Sequence, residues 1–318
     1  MEKTLKFDLK TIFFPTLIAV LCAATLTEQT FPWKFDFDLD FGSRINPSTP
    51  STPSTPSTPS TPSGSRGWAG HLNFSYSGAM GPDKWGILNP AFRTCANGKA
   101  QSPINIVTKD CVSNTKLGPL VREFSSTSGT LINNGYNIGL EYSNGCGSAV
   151  VDGKKFTLKS MHWHSPSEHT IDGTRFPLEL HLVHASAEGS ISVVSILYQY
   201  GKPDPILTEL KSTIDQLEGI QCAPTEEVYL PVGVLKSKFL NPQTRKYYRY
   251  IGSLTVPPCH ENIIWNILGT VRQVSKEQVD AIKAPLAGTC KDNSRPTQPL
   301  NGRKVVLYDE HKPEDIEN

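Results

Sequence analysis

The sequence has almost no net charge, because 31 lysines and arginines stand against 30 aspartates and glutamates. Proteins that hold nucleic acid or a strongly anionic surface by electrostatic attraction carry a clear excess of basic residues. We therefore expect no nucleic-acid partner. Long apolar runs are scarce as well: only residues 11–26 come close to the length of a membrane-spanning helix.

This apolar run belongs to a predicted N-terminal leader. Lys3, Lys6 and Lys10 precede it, and small residues at 22–24 supply a cleavage point, which is the pattern of a secretory signal peptide. We assign residues 1–27 to this signal peptide or to an uncleaved signal anchor, since a spanning helix can be as short as ~17 residues. A membrane partner is expected only in the second case.

Residues 28–66 have the composition of a linker. An alternation of acidic and aromatic residues at 31–41 is followed by five copies of Ser-Thr-Pro at 48–62. Such a repeat cannot form a core, favours extended conformations and has the composition of an O-glycosylated stalk. We expect this segment to be disordered, residues 67–310 to form the folded domain, and residues 311–318 to form a tail.

Two further features fit a secretory route. Asn73 begins an N-glycosylation sequon. Loss of Cys22 with the signal peptide leaves six of the seven cysteines for an oxidising compartment. We expect the protein in the extracellular space or the cell wall, with a plastid or thylakoid-lumen location as the alternative.

The sequence has only eight histidines, and five of them lie within residues 161–184. His162 and His164 are two residues apart, so in a strand both rings project to the same face. The later run E-L-H-L-V-H places Glu179 and His181 on one face of a second strand. An Asp-Gly turn signal at 172–173 lies between the two runs, which predicts an antiparallel pair with His181 beside the first two histidines.

Three neutral imidazoles with a fourth position left open form a catalytic zinc site, because a structural site is closed by a fourth protein ligand. Glu179 is then predicted to accept the spare ring N–H of a ligand histidine and to fix its tautomer. The alternative is that these are half-buried strand histidines that bind no metal. His169 and His184 are predicted to pack or hydrogen-bond locally.

Periodicity elsewhere predicts three further elements. The apolar run at 191–198 is rich in β-branched residues and predicts a buried central strand. Helical spacing of apolar residues at 205–216 predicts a surface helix, and residues 275–282 predict another short helix.

Four sequence blocks resemble those of the α-class carbonic anhydrases, and of plant members in particular. They are Q-S-P-I-N-I, M-H-W-H-S-P-S-E-H-T, E-L-H-L-V-H and G-S-L-T-V-P-P-C, they occur in the family's order, and the resemblance covers residues 68–307. It implies a mainly β fold: a single domain with a large, mostly antiparallel twisted central sheet and short peripheral helices.

The resemblance also implies an activity and its residues. Zn²⁺ held by His162, His164 and His181 would support reversible hydration of CO₂ to bicarbonate and a proton by a zinc-bound hydroxide. Thr255 would orient that hydroxide while donating its own proton to Glu168. The alternative is a weak or inactive carbonic anhydrase-like storage or carbohydrate-binding protein. By resemblance the CO₂ pocket is lined by Val183, Val193, Leu254, Val256 and Trp265.

The chain departs from the family pattern at three positions. Tyr136 follows Asn-Asn-Gly where many members carry a proton-shuttling histidine, and a phenol with a pKa near ~10 cannot relay protons near neutrality as an imidazole can. We therefore expect slow proton release. Ser160 replaces a glutamine that supports the first ligand, and Val256 replaces a second threonine.

The resemblance pairs Cys95 with Cys259 in a disulfide that would pin the Gly-Ser-Leu-Thr loop near the metal. The other four cysteines of the mature chain, Cys111, Cys146, Cys222 and Cys290, allow three pairings or include free thiols.

Overall fold

The computed structural model describes residues 74–142, 145–218, 220, 227–240 and 244–311. The predicted signal peptide, the Ser-Thr-Pro linker, the Asn73 sequon and the tail beyond residue 311 lie outside these residues. No helix in the described part of the chain is both long enough and apolar enough to cross a membrane.

Strands dominate the described residues. In chain order they are β1 (Asn105–Ile106), β2 (Val112–Ser113), β3 (Val121–Phe124), β4 (Thr127–Asn133), β5 (Ile138–Glu141), β6 (Gly147–Val151), β7 (Lys154–His164), β8 (Thr170–Ile171), β9 (Thr174–Arg175), β10 (Leu178–Ala185), β11 (Ile191–Tyr200), β12 (Val228–Leu235), β13 (Lys246–Ser253), β14 (Glu261–Leu268), β15 (Arg272–Val274) and β16 (Val306–Asp309).

The helices of the described residues are few and short. The α-helices are α1 (Trp85–Leu88), α2 (Thr94–Asn97), α3 (Pro205–Glu218) and α4 (Lys276–Lys283), and 3₁₀ turns lie at Gly78–Met80, Pro90–Phe92, Thr108–Asp110, Thr115–Leu117, Ser237–Phe239 and Gly288–Cys290.

Thirteen of these strands form one sheet. Its main path runs β12-β4-β5-β7-β10-β11-β14-β13-β16-β2, with β15 beside β11, and β6 between β3 and β7. Parallel pairing occurs between β11 and β14, β11 and β15, and β16 and β2. The other neighbours in the sheet are antiparallel. The predicted fold, a large and mostly antiparallel sheet with short helices, is confirmed.

The two faces of the sheet carry different kinds of side chain. One face carries large apolar side chains such as Trp163 and Leu180, which join the main hydrophobic cluster together with Leu210 of α3 and Ile282 of α4. Because side chains alternate along a strand, His162, His164 and His181 point to the opposite face. The main core therefore lies behind the histidines and leaves their own face available for a site.

The predicted central strand and the two predicted helices are present. Every residue of β11 from Ile191 to Tyr198 is buried. The helix α3 buries its apolar stripe, including Ile206, Leu210 and Ile214. The helix α4 begins after a capping box, in which Ser275 and Gln278 bond reciprocally to each other's backbone.

The Asp-Gly turn has a more local role than predicted. Asp172 and Gly173 both have positive φ, 48° and 77°, as a two-residue type I′ turn requires. They join the short strands β8 and β9, which pair with β1 in a separate three-stranded sheet. The strands β7 and β10 are antiparallel neighbours as predicted, but this small hairpin is inserted in the connection between them.

Candidate metal centre

The pairing of β7 with β10 brings three histidines together. His181 lies directly opposite His162, and Glu179 lies opposite His164. The ring centroids are 5.0 Å apart for His162 and His164, 5.2 Å for His162 and His181, and 4.7 Å for His164 and His181. One nitrogen from each ring lies within 4.8 Å of the others, which is a spacing that one metal ion can bridge.

Hydrogen bonds fix the direction of two of the rings. The Nδ1 of His164 donates to the backbone carbonyl of Asn293 at 2.6 Å, so Nε2 is the nitrogen with a free lone pair. The Nε2 of His181 donates to Oε1 of Glu179 at 2.7 Å, so Nδ1 is its free nitrogen. Among the described residues no group hydrogen-bonds to the ring of His162. Ser160 therefore does not take over the support that a glutamine at this position would give to the first ligand.

The three rings are held in their neutral form. Burial is the main cause that lowers the pKa of each ring: well below its usual value for His162, to about 4 for His164, and below its usual value for His181. Neutral imidazole is the form that ligates a metal, so the fold keeps these side chains ready to bind.

Glu179 is buried yet surrounded by donors. Its Oε1 accepts hydrogen bonds from His169, His181 and Ser195 at 2.6–2.7 Å. Its Oε2 accepts from the backbone N–H groups of Glu168 and His169 at 2.7 and 2.8 Å. Burial alone would raise the pKa of Glu179, but the attraction of His169 and His181 outweighs it and holds this pKa well below the usual range.

The grouping of His169, Glu179 and His181 is also compact enough for a metal. Both rings, however, donate protons to the same carboxylate oxygen, and those protons occupy the space between the atoms. The second ring nitrogen of His169 lies 2.7 Å from the hydroxyl of Tyr250, which in turn bonds to Ser102 at 2.8 Å. His169 thus bonds locally, as predicted, and extends a buried polar network behind His181.

Glu168 differs from Glu179 although both are fully buried. Its Oε1 accepts the backbone N–H of Arg295 at 2.9 Å. Its Oε2 has no hydrogen-bond partner among the described residues and lies 3.5 Å from Nε2 of His164. Burial raises the pKa of Glu168 to about 7, and the neighbouring His181 and Thr255 lower it only in part. Thr255 is therefore adjacent, but no hydrogen bond of good geometry joins it to Oε2.

The residues of this site fit a zinc ion. Two buried polar atoms without a partner, Nε2 of His164 and Oε2 of Glu168, converge on the same space. A cation held by the histidines would give Nε2 of His164 a partner. Three imidazole nitrogens are a donor set that suits Zn²⁺, whereas Mg²⁺ and Ca²⁺ prefer oxygen ligands.

Apolar side chains form the wall beside His181. Val183 lies opposite Val193 on β11, and Val193 lies opposite Trp265 on β14, so the three form a row on the histidine face. The ring of Trp265 is 4.8 Å from that of His181, and its indole N–H donates to the carbonyl of Ser253.

The next wall follows β13. Leu254 and Val256 are half-buried, and Thr255 between them is buried. The disulfide Cys95–Cys259 closes this segment, as the resemblance implied. Cys146 and Cys290 are buried thiols, and Cys222 lies outside the described residues.

Tyr136 lies at the edge of a second apolar cluster. Its ring centroid is 5.2 Å from that of Phe74, next to Tyr76 and Trp85. Burial, followed by the charges of Glu227 and Glu141, raises the pKa of Tyr136 to about 12.

Two residues of the site were not predicted. Asn293 binds His164 through its carbonyl, and its side chain bonds to Ser165 and to the carbonyls of Tyr136 and Trp163. Arg295, 1% exposed, anchors Glu168 through its backbone N–H. The only signal for them was the resemblance of this C-terminal segment to the family, because neither residue belongs to a periodic pattern.

The fold and the site together define a class: three histidines with the spacing of metal ligands on one face of a large, mostly antiparallel sheet. Comparison with known sequences then gives the family. The sequence model of the eukaryotic-type carbonic anhydrases matches residues 80–309, and the chain belongs to that family.

Individual relatives agree with this assignment. Alpha carbonic anhydrase 7 of Arabidopsis thaliana is 39% identical over 237 residues, which cover 74% of this chain and 84% of the relative. The crystal structure of dioscorin complexed with ascorbate is 36% identical, with a TM-score of 0.72, and the match covers 76% of this chain and 99% of dioscorin. The α-carbonic anhydrase from Thermovibrio ammonificans, in complex with the inhibitor sulfanilamide, is 38% identical, with a TM-score of 0.64 over 73% of this chain and 98% of that one.

Proposed function

We propose that this protein is a zinc-dependent carbonic anhydrase that catalyses the reversible hydration of carbon dioxide to bicarbonate and a proton. The observation that carries the proposal is the cluster of three neutral histidines, with Nε2 of His164 buried and without a partner. Membership in the carbonic anhydrase family supports it.

His162, His164 and His181 would hold the zinc ion. Bound zinc supplies a Lewis acid that can generate a nucleophile from water near neutral pH. The Asn293 carbonyl and the Glu179 carboxylate fix the rings of His164 and His181, so that their other ring nitrogens are left available as ligands. Such supporting hydrogen bonds orient the ligands and raise their basicity.

Glu168 and Thr255 would orient the attacking oxygen. A Thr255 hydroxyl that donates its hydrogen bond to the Glu168 carboxylate has only lone pairs left, so it can accept a hydrogen bond from the attacking oxygen. That bond would turn a lone pair of the attacking oxygen toward the substrate, which is an orientation effect. The apolar row of Val183, Val193 and Trp265 offers carbon dioxide dispersion contacts without a strong polar anchor.

Tyr136 would make proton release slow. A phenol whose pKa is raised to about 12 is protonated at neutral pH and is a poor relay for a further proton. We therefore expect turnover to rise with the concentration of an imidazole buffer.

The proposal is tested by stopped-flow measurement of carbon dioxide hydration together with the zinc content of the same sample. We expect about one zinc per chain and clear activity in the wild-type protein, as a three-histidine catalytic site requires. Both should be lost in His164→Ala. The control His311→Ala changes an exposed histidine far along the chain and should leave both unchanged. Activity that survives in His164→Ala would refute the proposal.

A second candidate function is that of a weakly catalytic or inactive binding protein. The similar dioscorin was solved with ascorbate, and this chain departs from the enzyme pattern at Tyr136, Ser160 and Val256. Zinc binding without hydration activity, together with calorimetric binding of ascorbate or a carbohydrate, would favour this alternative.

We also propose that the chain enters the secretory pathway and acts in the extracellular space or cell wall. The Cys95–Cys259 disulfide supports this location, because such bonds persist in oxidising compartments. N-terminal sequencing of the mature protein should begin near residue 28, and deglycosylation should reduce its mass if Asn73 carries a glycan. An intact N-terminus on a membrane-bound protein would instead indicate the signal anchor.

A further inference from the structure

Each hydration event releases one proton, and the following inference rests on the proposed function. Tyr136 is a poor carrier because its phenol hardly ionises near neutral pH. Water in the site must therefore pass the proton to another group. A suitable acceptor would be a carboxylate or imidazole on the histidine face that is not itself a metal ligand.

Glu141 lies on the face that carries the histidines. On β5, Gly139 is opposite His162, and Glu141 is opposite Ser160. Directly opposed residues of an antiparallel pair present their side chains on the same face. Since Ser160 and His162 are two residues apart on β7, Glu141 shares the face of His162.

The residues between Glu141 and His162 are small. Gly139 has no side chain, and a Cβ added there would meet no atom closer than 3.4 Å, with Cβ of His162 at 3.8 Å. Ser160, which stands where the family has a longer glutamine, is half-buried. No bulky side chain therefore stands on these two strands between Glu141 and His162.

The surroundings of Glu141 favour a carboxyl group that can hold a proton. Glu141 is half-buried, and burial followed by the like charge of Glu227 raises its pKa. Glu227 accepts a hydrogen bond from the Tyr229 hydroxyl on β12, and Thr130 of β4 lies opposite Glu141. Tyr136 is the fourth group nearby. Among the described residues, the charged or titratable groups that act on Glu141 or respond to its charge are thus one carboxylate and two phenols.

We propose that Glu141 accepts the proton of the hydration reaction from water in the site and passes it to buffer, in place of a histidine at position 136. In this step a carboxylate oxygen of Glu141 forms an O–H bond while the protonated water beside it loses one. The resulting carboxylic acid then gives the proton to a buffer base and returns to the carboxylate. No other atom changes partner.

The first test compares Glu141→Gln with the wild-type protein in weak and in strong imidazole buffer. We expect kcat in weak buffer to fall about tenfold or more, which is a modest loss for a proton-transfer group. The ratio kcat/KM should stay unchanged because it does not include proton release, and imidazole should restore kcat. The matched control Glu123→Gln alters an exposed glutamate of β3 and should behave as wild type.

A wild-type kcat for Glu141→Gln in weak buffer would overturn the proposal. So would a loss that imidazole cannot restore, because that loss would indicate damage to the site. A wild-type protein that binds zinc but hydrates no carbon dioxide in any buffer would instead refute the proposed function, so the two failures are distinguishable.

The second test reads the carboxyl group directly. In protein labelled with ¹³C at the glutamate carboxyl carbons, the NMR signal absent from Glu141→Gln identifies Glu141. Its titration midpoint should lie above that of an ordinary glutamate and should fall in Glu227→Gln, where the like charge is gone. The pH below which weak-buffer turnover declines should shift down with it. A midpoint that does not respond to Glu227→Gln, or a pH profile that does not follow it, would contradict the proposal.

Discussion

Glu168 and Glu179 are buried equally and yet differ in charge state. Both are 0% exposed, so the loss of hydration acts on both in the same direction. Five hydrogen-bond donors surround the oxygens of Glu179, and the attraction of two of them, His169 and His181, outweighs burial and holds its pKa low. Glu168 receives one, from Arg295, and its pKa rises to about 7. The two histidine neighbours of Glu179, rather than its depth, account for the lower pKa of that carboxylate.

This difference predicts a pH effect on stability in the metal-free protein. The folded-state pKa of Glu168, about 7, exceeds its usual value of 4.5. Its contribution to stability is fully present below pH ~4.5 and is lost as the pH rises through ~7, by up to about 3 kcal/mol. Glu168→Gln should remove this loss.

The measurement is denaturant unfolding of the metal-free protein and of Glu168→Gln from pH 4.5 to 8. The control Glu218→Gln alters an exposed glutamate at the end of α3. The site histidines, whose pKa values are lowered, lose stability as the pH falls, so only the difference between variant and wild type is informative. A constant difference across this range would contradict the prediction.

At the level of elements, the irregular segment around Asn293 contributes to a site whose histidines lie on strands. His164 and Asn293 are 129 positions apart in sequence, and Asn293 lies outside any helix or strand. Its side chain bonds to β7 at the Trp163 carbonyl and to the carbonyl of Tyr136. The segment therefore fastens the end of β7 to the turn before β5.

Asn293→Ala should loosen this fastening. The substitution leaves the backbone N–H of Ser165 and the carbonyls of Tyr136 and Trp163 without their side-chain partner, which costs about 2–3 kcal/mol of stability. The backbone carbonyl that accepts from His164 stays in place, so zinc affinity should fall by less than the roughly tenfold loss expected when a ligand loses its supporting hydrogen bond. Thermal unfolding and a competitive zinc titration measure both effects. The neighbouring exposed Asp292→Asn is the control, and a variant that matches it in both measurements would show that the contacts are dispensable.

The sequence could predict elements more readily than their connections. The two-residue spacing of His162 and His164, and of Glu179 and His181, is a local pattern that predicts two strands. In the structure these strands, β7 and β10, are paired. The Asp-Gly signal was equally local, but it could not tell which strands the turn joins, because β8 and β9 are too short to leave a periodic pattern. Asn293 and Arg295 reach the site through contacts distant in sequence, which one sequence does not encode as a pattern.

One edge of the sheet is protected by its own sequence. The strand β12 pairs only with β4 among the described strands, and it carries Pro231 and a register shift between Val232 and Val234. Proline lacks a backbone donor, and a bulge twists the strand, so both disfavour pairing with another chain.

At the scale of the whole molecule, one disulfide joins the N-terminal part of the domain to the wall of the site. Cys95 in α2 and Cys259 after β13 are 164 positions apart. Both pack in the second apolar cluster with Trp85 and Cys290. The bond therefore stabilises the cluster next to which Tyr136 and Val256 lie.

Removal of this bond should destabilise the domain. A loop of 164 residues restricts the unfolded chain strongly, so the double variant Cys95→Ala, Cys259→Ala should lose about 3–5 kcal/mol of unfolding free energy. Cys290→Ala removes a buried sulfur from the same cluster without breaking a cross-link and should lose about 1 kcal/mol. Guanidinium unfolding measures both, and equal losses would mean that the cross-link itself contributes little.

The same bond has a topological consequence. The three candidate ligand histidines, together with Glu168, Glu179 and Thr255, lie between Cys95 and Cys259 and so belong to one covalent ring, whereas Asn293 and Arg295 lie outside it. A protease that cuts this ring once opens it without releasing a fragment, because the disulfide still joins the two pieces. The nicked protein should migrate as one species on a denaturing gel until a reductant separates it into two.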